Sequence, residues 1–311
     1  NEKCELGRNF ANKIWNCVRF RLNSGAASKD WNNLNSLKAA DLRPDDQWII
    51  ARVNQTIKQI TANLESFNYN EAVRNLYDFV WSKGAFKAGG QSTTLRVFDY
   101  VLSTFLRLMH PFMPFVTDEL YHQMGFVAED DSIMLTDWPV ALSDEVLAEL
   151  GATDELVAAN EAKFDLIRAA RNLRANYQIA TSRQLDMVIT PSNDACAQFF
   201  NRDLDTFKSL LNASSLVLGN KPDGACGVAV GASGTLYIPL VGLIDFGAEI
   251  ARLEKQEAEI VKYMEGINRK LSNESFVSRA PQQVVEAERQ KIAESEEKLT
   301  RIREQIKNFQ A

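Results

Sequence analysis

Residues 243–309 read LIDFGAEIARLEKQEAEIVKYMEGINRKLSNESFVSRAPQQVVEAERQKIAESEEKLTRIREQIKNF, and this stretch decides how the C-terminal part of the chain is built. Ile250, Leu253, Ile260, Met264, Ile267 and Leu271 fall on alternating steps of three and four, with Glu257 in the one expected apolar slot that is missing. Val285, Ile292, Leu299, Ile302, Ile306 and Phe309 repeat the pattern, with Glu288 and Ser295 in the gaps. A period of 3.5 residues is the seam of a coiled coil. Between the two runs lies Ser272-Asn273-Glu274-Ser275-Phe276-Val277-Ser278-Arg279-Ala280-Pro281, where Ser and Asn break the first helix and Pro281 suits the first turn of the second. One loop of that length makes the arms antiparallel neighbours, each about 25 residues and roughly 40 Å long. Heptads specify association and not function, so the pattern alone fits a dimerisation element equally well.

The remainder divides in two. Residues from about Glu5 to Asn23 form an amphipathic helix whose stripe is Phe10, Ile14, Trp15, Val18 and Leu22, with Arg8, Asn9, Asn12, Lys13, Asn16 and Arg19 around it. Ser24 to Arg43 reads as a loop with at most short turns. Asp45 to Phe67 is a second helix. Asn70 caps a third that carries Leu76, Phe79 and Val80, Thr94 to His110 is a fourth, and Val116 to Met124 a fifth beyond Pro111 and Pro114. This is an all-α up-and-down bundle. Ser132 to Leu142 is extended, and Ala159 to Tyr177 is a helix with a basic side of Lys163, Arg168, Arg171 and Arg174. Then the type changes: a strand at Gln184–Thr190, a helix at Ala195–Leu211, a strand at Ser215–Leu218, and a hairpin over Gly227–Leu240 turning at Ala232-Ser233-Gly234. The expected architecture is mainly α: a helical bundle over residues 1–130, a small connecting α+β module over 131–240, and an antiparallel coiled-coil hairpin over 241–311.

Composition narrows the function. The 311 residues carry a net charge of -6, which argues against a nonspecific nucleic-acid binder but leaves room for a locally basic face. Cys4, Cys17, Cys196 and Cys226 include no C-x-x-C pair, and the only histidines are His110 and His122, so no zinc site is expected and the cysteines read as small buried residues in a reducing compartment. Gly224, Gly227, Gly231 and Gly234 match no dinucleotide or P-loop fingerprint and read as turn glycines. Neither histidine belongs to a constellation of nucleophile, acid or base, and no catalytic residue is expected. There is no signal peptide and no apolar run long enough to span a bilayer. The first residue is Asn1 rather than Met, so the chain is expected to start inside a longer protein.

Four strings taken together resemble one family: Arg8-Asn9-Phe10-Ala11-Asn12-Lys13-Ile14-Trp15-Asn16, Leu108-Met109-His110-Pro111-Phe112-Met113-Pro114-Phe115, Ser132-Ile133-Met134-Leu135-Thr136, and Lys270-Leu271-Ser272-Asn273-Glu274 running on to Ala280-Pro281. They look like the C-terminal half of the bacterial valyl-tRNA synthetases, class I aminoacyl-tRNA synthetases, along essentially the whole chain. The second string is shared by related class I enzymes, whereas the last is more specific to the valyl family. One departure stands after Trp81-Ser82, where the family has a Phe-Cys-Asp-Trp-Tyr-type segment and this chain runs on to Lys83-Gly84-Ala85-Phe86.

The resemblance implies a cytoplasmic, monomeric parent enzyme. That parent ligates valine to tRNA(Val) with ATP and Mg and hydrolyses mischarged threonine. This chain would hold its anticodon-binding bundle and tRNA-binding arm, without catalytic or editing domains, without a cofactor of its own and inactive alone. Lys13 and Phe20, two turns apart on nearly one face, match positions the family uses near the anticodon, with Arg8 and Asn12 beside them. Arg269, Lys270, Arg289 and Lys291 gather at one end of the arm with Arg279 in the loop between, so the tip is locally basic and would meet the outer corner of the tRNA. The competing expectation is a non-catalytic coiled-coil scaffold with no RNA contact, in which the tip cations only pair with Glu265, Glu274, Glu286 and Glu288.

Overall fold

The computed structural model describes residues 2–25, 27, 30–81, 92–243, 246–272 and 282–310, and the described chain is mainly helical with one small four-stranded sheet. It forms two compact units, Asn1–Phe164 and Asp165–Ala311.

The first unit holds helices α1 (Glu2–Leu22), α2 (Pro44–Glu65), α3 (Tyr69–Trp81), α4 (Ser92–Met109), α5 (Pro114–Gln123) and α6 (Asp144–Glu149). Its core comes from the 3.6-residue stripes: Ile50, Val53, Ile57 and Ile60 on α2, Leu76 and Phe79 on α3, Val101, Phe105 and Leu106 on α4, and Leu120 and Tyr121 on α5. Phe79 stacks on Phe105 at 5.7 Å between ring centroids. Helix α2 starts where the sequence dictates, with Pro44 in its first turn and the Asp46 carboxylate accepting from the Arg43 N–H at 3.1 Å. Asn70 is not a cap: α3 begins one residue earlier, at Tyr69. The 24–43 segment has the expected short turns, as 3₁₀ helices at Leu34–Ser36 and Ala39–Asp41.

Two features of this unit run against simple patterning. Arg21, on α1, is 1% exposed and forms a two-pronged pair with Asp99 on α4, at 2.6 Å from Nε and 2.8 Å from Nη2. Its Nη1 donates to the Gly25 carbonyl at 3.0 Å. Lys163, expected on an exposed basic side, is fully buried on Asp45 with its ammonium 5.0 Å from the Phe164 ring centre.

Helix α7 (Asp154–Asn176) starts five residues earlier than the apolar pattern indicates, at Asp154, and its residues from Asp165 onward belong to the second unit. There Arg174 is also buried, because its guanidinium satisfies carbonyls of Leu211, Ala180 and Thr181 at 2.9, 2.8 and 3.3 Å. Burial lowers its pKa, but the carbonyls stand in for water around the charge. Only Arg168 and Arg171 of the expected basic side are exposed.

The sheet contains β1 (Leu185–Pro191), β2 (Ala213–Leu218), β3 (Cys226–Gly231) and β4 (Gly234–Pro239) in the order β2-β1-β4-β3. β1 and β2 are parallel and joined by a helical crossover, as parallel pairing requires. That crossover is two helices, α8 (Asp194–Arg202) and α9 (Leu204–Leu211), broken at Asp203, where the sequence pattern runs on as one. β3 and β4 form the expected hairpin, with Gly231 opposite Gly234. Gly234 has φ 155°, and a Cβ there would lie 2.5 Å from the Thr190 carbonyl oxygen, so the glycine serves close backbone approach.

The unit ends in α10 (Phe246–Leu271) and α11 (Gln282–Gln310), which lie side by side and antiparallel. The Phe246 and Phe309 rings meet at 5.6 Å, and Arg303 donates to Glu257 at 2.7 Å across the pair. The seam residues read from the sequence are those that lose solvent. Leu253, Ile267, Val285, Glu288, Ser295, Leu299 and Phe309 are buried, and Glu257, Ile260, Met264, Ile292, Ile302 and Ile306 half-buried, among exposed neighbours. The connecting segment 273–281, and with it Arg279 and Pro281, lies outside the described residues, as does the segment 82–91 that departs from the family pattern.

Removing one partner of a buried charge pair strands the other. Asp99→Ala is expected to destabilise the first unit by about 3–5 kcal/mol, read as a fall in thermal midpoint. A second prediction concerns pH. Both ring nitrogens of His122 face carbonyls, Nδ1 that of Asp118 at 2.8 Å and Nε2 that of Asp131 at 2.7 Å, and a neutral imidazole has only one N–H to give. These two hydrogen bonds, with the Asp118 and Glu119 carboxylates nearby, raise its pKa above the ordinary 6.5. Since the folded value is the higher one, the stabilisation is complete below about pH 6.5 and is lost as pH rises through the folded pKa. Urea midpoints between pH 6 and 9 should fall more in the wild type than in His122→Gln.

Candidate nucleic-acid interface

Helix α1 supplies the first candidate surface. Phe10, Ile14, Val18 and Arg21 face inward, and Phe10 stacks on Tyr77 of α3 at 5.4 Å. The opposite face is mostly solvent-facing and mainly basic, with Glu5 near the start of the helix as the one exposed carboxylate among its described side chains. From Leu6 to Lys29 the chain contains no Asp or Glu, and Arg21 is already neutralised by Asp99, which leaves Arg8, Lys13 and Arg19 for the outside. An acidic chain therefore presents a basic helix face.

The four predicted residues on this helix do not form one cluster. At about 100° per residue, Lys13 and Phe20 differ by only about 20° and share a flank with Asn9 and Asn16. Arg8 and Asn12 lie roughly 110° further round, beside Arg19 and Trp15. Phe20 is 46% exposed, so its ring is available as a platform and is not core. Trp15, which the apolar pattern places in the stripe, is 36% exposed at the stripe's edge. A helix offers about three to four buried positions per two turns, and Phe10, Ile14 and Val18, with Arg21 beyond them, take the inward ones. Lys13 is half-buried against Cys17. Burial lowers its pKa, opposed by the thiol, and pushes the Cys17 thiol up, so that sulfur stays protonated and inert. A partly desolvated ammonium gains more from an incoming phosphate than one in bulk water.

The far ends of α10 and α11 supply the second surface. Arg269, Lys270, Arg289 and Lys291 are all exposed there and lie at the same end, since Lys270 at the end of α10 acts electrostatically on Glu288 at the start of α11. Each of three has a carboxylate on its own helix: Arg269 with Glu265 at 3.7 Å, Arg289 with Glu286 at 3.8 Å, Lys291 with Glu288 at 2.7 Å. The first two pairs are exposed on both sides and worth at most about 1 kcal/mol each, so they are exchangeable for phosphate. The third is tighter: Glu288 sits at the seam, and its hydrogen bond from Lys291 lowers the Glu288 pKa and raises that of Lys291. Among the described residues no group of three or more His, Cys, Asp or Glu could hold a metal ion, and no helix is long and apolar enough to cross a membrane.

A bundle helix and the end of a long antiparallel pair each gather cations within an acidic chain, which is the charge footprint of a nucleic-acid-contacting surface. The family model of the anticodon-binding domain of tRNA ligases matches residues 46–189. That of the valyl tRNA synthetase tRNA binding arm matches residues 245–310. The chain is 34% identical to the valine–tRNA ligase of Oceanobacillus iheyensis over 98% of its own length and 35% of the relative's. It is 32% identical to that of Bacillus subtilis (93% and 33%) and 34% identical to that of Halalkalibacterium halodurans (99% and 36%). The chain thus spans about a third of the length of the curated relatives it matches. It belongs to the valyl-tRNA synthetase family and carries that family's anticodon-binding domain and tRNA-binding arm. The unrelated-scaffold reading of the paired helices is thereby set aside.

Exposure decides what truncation on α1 costs. Phe20→Ala should move the thermal midpoint by no more than a surface substitution does, within about 0.5 kcal/mol. Ile14→Ala, at a position 2% exposed, should cost about 2–5 kcal/mol. Equal losses from both variants would mean that Phe20 is packed.

Proposed function

We propose that the chain binds tRNA(Val) at two places. The Lys13–Phe20 flank of α1, with Arg8 and Asn12 round the helix, meets the anticodon loop. The α10–α11 pair, acting as a coiled-coil arm, meets the outer corner of the tRNA with Arg269, Lys270, Arg279, Arg289 and Lys291. In this reading residues 1–130 are the anticodon-binding bundle, 131–240 a connecting module and 241–311 the arm. The observation that carries it is the acid-free run from Leu6 to Lys29, which sets an exposed aromatic and a partly desolvated lysine in line on one helix. Unstacked bases of a loop are read in this way, by aromatic platforms flanked by cations, whereas a folded RNA corner is read by shape and backbone charge.

The same proposal covers the longer protein. Its activity is the ATP- and Mg-dependent ligation of valine to tRNA(Val) in the cytoplasm, by a monomer. Hydrolysis of mischarged threonine belongs with it, because a pocket built for valine rejects an isostere with one added hydroxyl only about a hundredfold. In this proposal that chemistry lies in parts of the longer protein beyond this chain, which spans about a third of the length of the relatives it matches.

Affinity for a tRNA transcript with a valine anticodon tests both contacts. Phe20→Ala should weaken binding by about 1–3 kcal/mol with an unchanged salt slope, since a stacking platform releases no counterions. Lys13→Ala should weaken it and lower the slope by about 0.7–0.9, the share of one phosphate contact. Wild-type binding by both places the anticodon site elsewhere. Arg269→Glu with Lys291→Glu should weaken binding and flatten the salt dependence; unchanged affinity and slope would leave the arm a packing element.

A further inference from the structure

The α10–α11 pair carries a hollow half-way along, on one flank of its seam. It is a groove of about 590 Å³. The seam pattern explains why it is there. Position 295 is due for a large apolar residue, and Ser295 stands there instead, buried, with its hydroxyl donating to the Lys291 carbonyl at 2.7 Å. A side chain that small, with its polar atom turned back on its own helix, leaves Ile260 and Ile302 only half-covered as an apolar floor. Tyr263 forms one wall and is 53% exposed. Lys298 and Arg301 stand on the opposite rim, and Glu259 on the same helix as the tyrosine. Lys298 makes no ion pair among the described residues, and Arg301 has only an exposed contact with Glu297 at 3.6 Å. Lys291, close enough to Tyr263 to interact electrostatically, continues the line of cations along α11.

We infer that this groove is a nucleotide-docking site: an unstacked nucleotide of the bound tRNA lays its base on the Tyr263 ring over Ile260 and Ile302, and its phosphate meets Lys298 and Arg301. The inference rests on the reading of α10–α11 as a tRNA-binding arm and adds to it a specific contact by ring and cation, distinct from the charged tip. The chemistry of the hollow selects this occupant. An apolar floor with an exposed aromatic wall suits any base face, the cationic rim suits the attached phosphate, and the Glu259 carboxylate is an acceptor for an exocyclic amino group. Backbone-only recognition would need the cations but neither the floor nor the ring. An apolar protein segment would leave Lys298 and Arg301 without a counter-charge.

Ser295→Leu separates the site from the fold. It fills the hollow while placing the residue type the seam favours, so the arm should melt at or above the wild-type temperature. Affinities for the valine-anticodon transcript would be measured with the full chain across a salt series. The expected results are a loss of about tenfold for both Ser295→Leu and Tyr263→Ala with the salt slope unchanged, and for Lys298→Gln a weaker affinity with a flatter slope. Wild-type affinity of Ser295→Leu and Tyr263→Ala, while Arg269→Glu with Lys291→Glu weakens binding, overturns the groove and keeps the arm. Wild-type affinity of the tip variant as well overturns the arm reading, and the groove falls with it.

Discussion

The placement of α1 depends on one buried ion pair. The helix is mainly basic on its outer side, and among its described side chains the buried apolar ones are Phe10, Ile14 and Val18. Such a stripe tolerates some rotation and sliding. Arg21 and Asp99 do not, because both are buried and joined by two parallel hydrogen bonds at 2.6 and 2.8 Å. A buried pair adds little net stability over well-packed apolar residues, but a slip that separates its members leaves two unpaired charges in the core. It therefore fixes the rotational setting of α1. With Arg21 turned in, Lys13 and Phe20 are held on one outer flank and Arg8 and Arg19 on the other.

The antiparallel pair follows the opposite logic. Its seam is not uniformly apolar: Glu257, Glu288 and Ser295 occupy core-type positions. Glu257 is answered from the facing helix by Arg303 at 2.7 Å and Glu288 from its own helix by Lys291 at 2.7 Å. Polar residues at such positions sacrifice stability, and of these three Glu257, through its bond from Arg303 on the facing helix, ties one turn of α10 to one turn of α11. Only Ser295 is answered without filling its space, and the hollow beside Tyr263 is the result.

How much was legible follows from what periodicity reports. It reports where an apolar stripe lies, so the helices of the bundle, the hairpin at Gly231–Gly234 and the residues of the long seam could be read directly. It does not report where a long basic side chain ends. Lys163 and Arg174 sit at helical spacing with Arg168 and Arg171 and look alike in sequence. Yet Lys163 reaches a carboxylate 118 residues away, and Arg174 reaches carbonyls of a turn and a helix end. The break at Asp203 was hidden because both halves of the 195–211 stretch keep their apolar faces. On α1 the candidate residues were legible, but their division between two flanks needed the inward direction, which Arg21 and Asp99 define. That pairing spans 78 residues and carries no local signal.

The central claim is that one chain contacts tRNA with two separate surfaces. Chemical footprinting of a valine-anticodon tRNA transcript bound to the chain tests it most directly. The account predicts protection in the anticodon loop and, separately, at the outer corner where the D and T loops meet, with Phe20→Ala removing the first footprint and leaving the second. Protection confined to the acceptor stem, or a single footprint abolished by Phe20→Ala, would contradict it.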